Sequence, residues 1–122
     1  MKICNFSDSV IKMHLADEPF SQIYNGTKTV EVRLFDEKRK SIRIGDTIIF
    51  SRCESTGDLI RTQVVALHSA SSFEKLFSTV EMREKAGFKN MTADAAIEIM
   101  HRFYTKEQER EYGVLGIEIK KE

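Results

Sequence analysis

Gly26-Thr27-Lys28-Thr29-Val30-Glu31-Val32-Arg33 is the stretch that decides how this chain is read. From Thr27 to Phe35, Val30, Val32 and Leu34 alternate with Thr29, Glu31 and Arg33, the period-two pattern of a strand with one packed face and one charged face. On such a strand Glu31 and Arg33 stand about 7 Å apart on one face. Lys28 enters from the preceding turn on a stem long enough to bring its ammonium to them. An amine, a carboxylate and a guanidinium are thereby gathered on what reads as the floor of a polar cleft.

The segments on either side supply the elements that would frame this floor. Upstream, Ile11, Met13 and Leu15 alternate with Lys12, His14 and Ala16 as a half-buried strand. Asp17 is placed to cap a short helix over Glu18 to Asn25. Phe20, Ile23 and Tyr24 share one face of it, Pro19 sits in its first turn and Gly26 takes the left-handed position after it. Downstream, the charged run Asp36 to Arg43 leads into a tight turn at Gly45-Asp46. A strand over Thr47 to Arg52, a polar turn from Glu54 to Asp58 and a strand over Leu59 to Leu67 then form a hairpin.

The second half reads as helical until its end. Ser71-x-x-Glu74 has the form of a capping box ahead of Phe73, Leu76 and Phe77, a short turn covers Val80 to Ala86, and Thr92 caps a helix over Ala93 to Tyr104. Tyr112 to Ile119 closes the chain as a strand, apolar enough to lie inside the sheet. Strands around a shared core with helices at their openings predict an α+β domain of small mixed-barrel type, a single domain spanning residues 1–122.

Bulk properties narrow the function classes. Nineteen Lys and Arg residues balance nineteen Asp and Glu, so the chain as a whole has no net field that would gather a long nucleic acid nonspecifically. Charge is nonetheless uneven: from Lys28 to Arg43 six basic residues face three acidic ones, a local net charge of +3. Cys4 and Cys53 lie far apart with no zinc-ligand spacing around them, so reduced thiols, no metal and no cofactor are expected. Neither a signal-peptide core nor an apolar run of membrane-spanning length occurs in the sequence, and a cytoplasmic protein, monomeric or weakly dimeric, is the expectation.

Gly26-x-Lys28-x-x-Glu31-x-Arg33 resembles the G-x-K-x-x-E-x-R signature of ASCH domains, relatives of the PUA RNA-binding fold. Ile42-x-x-Gly45-Asp46-x-Ile48-x-Phe50 and Tyr112-Gly113-Val114-Leu115-Gly116-Ile117 are similar to the turn, strand and closing strand of that family. The resemblance implies a PUA-like mixed β-barrel flanked by short helices, with RNA or a nucleoside- or nucleotide-like molecule as partner. Some small ASCH proteins are amidohydrolases of N4-acetylcytidine that use a lysine, a threonine and a glutamate. Lys28 matches that lysine and Arg52 an arginine at a strand end. Glu31 stands where those enzymes have threonine and Lys89 near their glutamate, while Thr29 lies two residues before Glu31.

The site residues therefore carry several readings. As a catalytic pair, Glu31 would be the general base and Lys28 the electrostatic partner of a nucleoside hydrolase or a ribonuclease. As a binding cleft, Arg33, Arg52 and Thr29 would contact the ligand, Lys38 and Arg39 of the basic run would meet phosphate, and Tyr112 would stack on a base. As structure alone, Lys28, Glu31 and Arg33 would brace the barrel in a regulatory or structural domain, and the charge run would be solvated surface. Tyr24 and Tyr104, at helical spacing, are expected in the core, and Met91 and Met100 as core filler.

Overall fold

The computed structural model describes residues 10–52 and 57–122. Cys4, Cys53 and most of the turn expected from Glu54 lie outside the described residues. The chain runs β1 (Val10–Leu15), α1 (Asp17–Asn25), β2 (Val30–Leu34), α2 (Glu37–Lys40), β3 (Thr47–Arg52), β4 (Leu59–Ala70), α3 (Phe73–Leu76), α4 (Val80–Lys85), α5 (Ala93–Met100), α6 (Lys106–Tyr112) and β5 (Val114–Lys121). The strands form one five-stranded sheet in the order β1-β3-β4-β5-β2, with β1 and β3 parallel and the other neighbours antiparallel. The sheet curls into a half-barrel, the small α+β architecture that the alternating strands and interspersed helices predict and the PUA-like one that the resemblance implies. Its edges, β1 and β2, are tied across the open seam by the Arg33 guanidinium, whose Nη2 donates to the His14 carbonyl at 3.3 Å.

Both faces of the sheet are covered, which gives two cores. Inside the curl, Met13, Leu15, Ile48, Phe50, Leu115 and Ile117 pack with Phe20 and Ile23 of α1. On the other face, Val30, Val32 and Val114 are covered by Phe73, Leu76, Phe77, Ala96 and Met100 from the helices of the second half. The central position of β5, paired on one side with β4 and on the other with β2, explains its near-continuous apolar sequence. Thr62, fully buried in β4, satisfies its hydroxyl by donating to the Ile48 carbonyl at 2.8 Å.

Several boundaries move. Helix α1 starts at Asp17, because the extended Ala16 already serves as its cap and accepts from Phe20 N. Ser72, not Ser71, caps α3, its side chain accepting from Lys75 N. A bulge between Val64 and Ala66 restores pairing with β5, so β4 runs to Ala70 rather than Leu67. Helix α5 stops at Met100. Tyr112 is not in the closing strand: it ends α6, a helix opened by a capping box between Thr105 and Gln108, and Gly113 separates it from β5.

Tyr24 and Met91 leave the core. Phe20 and Ile23 take the inward stripe of α1, so Tyr24 is 63% exposed with the Lys121 ammonium 4.5 Å above its ring. Met91, in the turn before the Thr92 cap, is also exposed, while Met100 is buried as expected.

Candidate functional site

Two tight turns set the position of Lys28. Gly26 ends α1 at φ 87°, which lets both Thr27 N and Lys28 N donate to the Gln22 carbonyl at 2.9 and 3.0 Å. From the other side the turn after α4 approaches: Thr29 N donates to the Lys85 carbonyl at 2.8 Å, and Gln22 Nε2 to that of Gly87 at 3.3 Å. Gly87, at φ 92°, is the residue this turn requires, since L side chains rarely adopt that backbone conformation. Clamped in this way, Lys28 is buried and its Nζ donates to the Ala86 carbonyl at 3.0 Å.

Strand register sets Glu31 and Arg33. Glu31 pairs with Ile117 and Arg33 with Leu115, so both charged side chains emerge on the face whose β5 residues belong to the interior core. The charged face of this strand is therefore a buried one. Glu31, only 6% exposed, holds Lys28 Nζ at 3.2 Å with one oxygen and Arg33 Nε at 2.6 Å with the other. Burial works to raise the Glu31 pKa, but the Lys28 and Arg33 charges and their hydrogen bonds outweigh it, and the carboxyl is held below its ordinary 4.5.

A groove of about 310 Å³ opens at the seam between β1 and β2, roofed by α2. Lys12, His14, Arg33, Lys38 and Arg39 line it, over a floor that includes Ile11, Met13 and Ile42, with no carboxylate among the lining residues. Helix α2 is what orders the basic run: Asp36 caps it, accepting from Arg39 N and, through its other oxygen, from Arg39 Nη1, both at 3.1 Å. His14 Nδ1 lies 2.7 Å from Ser51 Oγ on the adjacent strand. Arg33 belongs to both features, bonded to Glu31 within the triad and facing the groove.

The sequence-predicted residues thus divide. Lys28, Glu31 and Arg33 come together, and Lys38 and Arg39 join Arg33 through the groove. Thr29 is fixed by its backbone beside them, between the Lys85 carbonyl and Ile119 N. Arg52 is engaged elsewhere, bound to Asp17 and Asp58 at 3.2 Å each and stacked over Phe20. Tyr112 sits on α6. Sequence reading missed Lys12 and His14 as groove residues, although their outward phase on β1 was legible. It also missed two pairs between separate elements, His68 with Glu118 at 2.7 Å and His101 with Glu109 at 2.8 Å.

Residues 13–122 match the ASCH domain profile. The chain belongs to the ASCH domain family. ASCH domains are PUA-like and generally RNA-binding. Among solved structures, this ASCH domain is similar to the hypothetical protein PH0355, at 32% identity over 93% of this chain and 100% of that one, with a TM-score of 0.82. A protein from Pyrococcus furiosus solved by NMR is 30% identical over 93% of this chain and 97% of its own, with a TM-score of 0.69. An ASCH protein from Zymomonas mobilis, in an S128A mutant form, shares the fold at 16% identity over 91% of this chain and 67% of its own, with a TM-score of 0.59. A search of curated proteins gave no match. Among the described residues no helix is long and apolar enough to cross a membrane, and no group of three or more His, Cys, Asp and Glu is placed to hold a metal ion.

Proposed function

We propose that this ASCH domain is a recognition module that binds RNA or a nucleotide-like ligand at the surface joining Lys28, Glu31 and Arg33 to the seam groove, without turning it over. The observation that carries this reading is the double membership of Arg33, a guanidinium braced by a buried carboxylate and still facing a cationic groove. Bracing of this kind orients the guanidinium before a ligand arrives, which lowers the ordering cost of binding. A net-neutral chain with a cationic groove is suited to a local phosphate-bearing target rather than to coating long nucleic acid.

Glu31 argues for binding over hydrolysis. A general base works best with a pKa near the operating pH, and this carboxylate is shifted the other way, with both oxygens already committed. Its role here is to hold the two cations in place.

Titration of short single-stranded RNAs and of nucleosides against the wild type, Arg33→Ala and Lys28→Met tests this reading, with circular dichroism to confirm folding. Arg33→Ala is expected to weaken binding roughly tenfold, the equivalent of about 1.4 kcal/mol for one lost charge-assisted contact. Unchanged affinity in both folded variants would sink the proposal. Chromatography of N4-acetylcytidine and RNA incubated with the protein is expected to show no product; product formation that disappears in Glu31→Gln would make this a hydrolase instead.

A further inference from the structure

We infer that the seam groove is a subsite for a terminal phosphate, recognised by Lys12, Lys38, Arg33 and Arg39; its assignment to a nucleotide-like ligand rests on the function proposed above.

The argument begins with charge. Of the four permanent cations in the groove, Arg39 is paired with Asp36, and Arg33 shares the single Glu31 carboxylate with Lys28. Lys12 and Lys38 have no ion pair among the described residues. Two lysines with no carboxylate partner among the described residues therefore line one concave space. An internal phosphodiester carries one negative charge, whereas a terminal phosphate carries about −1.5 to −2 at neutral pH. The groove matches the second.

Donor geometry points the same way. Arg39 Nη1 is fixed on Asp36, which orients its guanidinium beside the groove. A phosphate oxygen is an acceptor that the fork of a guanidinium suits. Arg33 has further donors beyond the two it spends on Glu31 and the His14 carbonyl.

Size and lining set the rest of the ligand. A space of about 310 Å³ is more than one phosphate fills, and it lies at the lower end of the range for small-molecule sites, about 300 to 1,000 Å³. Ile11, Met13 and Ile42 give it an apolar floor against which a sugar or base would pack. One nucleotide unit, phosphate on the cations and remainder on the floor, satisfies both.

Isothermal titration of the full chain with inorganic phosphate, with nucleoside 5′-monophosphates and their nucleosides, and with short RNAs carrying or lacking a terminal phosphate provides the test. The matching variant is Lys12→Ala/Lys38→Ala, which removes two exposed side chains, with Arg39→Gln as a second. Monophosphates are expected to bind at least tenfold more tightly than their nucleosides. The double variant is expected to erase that difference and reduce the salt dependence by about one ion per phosphate-contacting lysine lost. Preference for the free monophosphate would identify a mononucleotide ligand, and preference for phosphorylated RNA an RNA end; both support the subsite.

The failures are separable. Nucleosides and RNA that bind equally well with or without a terminal phosphate overturn the subsite and leave the recognition reading standing. Inorganic phosphate binding lost in the double variant, with no nucleoside or RNA bound, supports the subsite and overturns the nucleotide reading. No binding of any of these ligands overturns both.

Discussion

Glu31→Gln is expected to lower folding stability by about 3 kcal/mol at neutral pH, a loss of roughly 10 °C in Tm for a domain of this size. The wild-type carboxylate is bonded to two cations, the buried Lys28 and the half-buried Arg33. Glutamine keeps the shape but removes the charge, and its amide nitrogen must face one of two donors. What remains is a pair of partly desolvated cations that repel each other, the situation in which breaking a buried ion pair costs most. With a typical stability of about 5 to 15 kcal/mol the variant still folds, so the change is measurable by urea unfolding.

The same variant separates the pH dependence of this site from that of the rest of the chain. The folded Glu31 pKa lies below the ordinary 4.5, so its stabilisation is complete above about that pH and is lost as the pH falls through the folded value. The stability gap between wild type and Glu31→Gln is therefore expected to be constant near neutrality and to shrink below pH 4.5. Glu118, also held low by its His68 hydrogen bond and by Lys85 against the opposing effect of burial, titrates in both proteins and cancels in the difference. A loss under about 1 kcal/mol at pH 7, the value of a surface pair, would mean that the triad is solvated and not structural.

Gly113→Ala is expected to be nearly as damaging, at about 3 kcal/mol. Gly113 lies at φ 72° and ψ −173°, a region open essentially to glycine alone. An added Cβ would sit 3.0 Å from the Ala70 carbonyl, which is backbone of the paired strand β4 and cannot move aside like a side chain. The residue also joins three elements: its N–H donates to Glu109 of α6 at 2.8 Å, its carbonyl accepts from Phe35 N at 3.0 Å, and β5 begins immediately after it. Gly26→Ala is the control, because Gly26 has a positive φ but open space around its Cβ position and should cost only about 1 to 2 kcal/mol. Equal losses in the two variants, measured by denaturant midpoint, would remove the close approach from the argument.

The frame of the fold was legible because its signals are local. Alternation in Val30–Leu34 and Thr47–Arg52, the caps at Gly26 and Thr92, and the apolar run of the closing strand each depend on residues within a few positions of one another. Helix α6 was missed because Lys106–Tyr112 has no apolar stripe, although the Thr105 to Gln108 capping box was there to be read. Arg52 was grouped with the triad from its place at a strand end, and only its pairing with Asp17 and Asp58 removed it.

By itself, then, the sequence determined which residues stand on a common strand face, which turns need glycine, and that Lys28, Glu31 and Arg33 act as one charged unit. The environment of that unit was decided by tertiary structure. Period-two alternation distinguishes two faces but carries no information on which of them another element will cover. Here β5 set the charged face against the interior and the turn at Ala86–Gly87 closed over Lys28. The groove has the same origin: Lys12 and His14 are distant in sequence from Lys38 and Arg39, and they meet only because β1 and β2 become the two edges of a curled sheet.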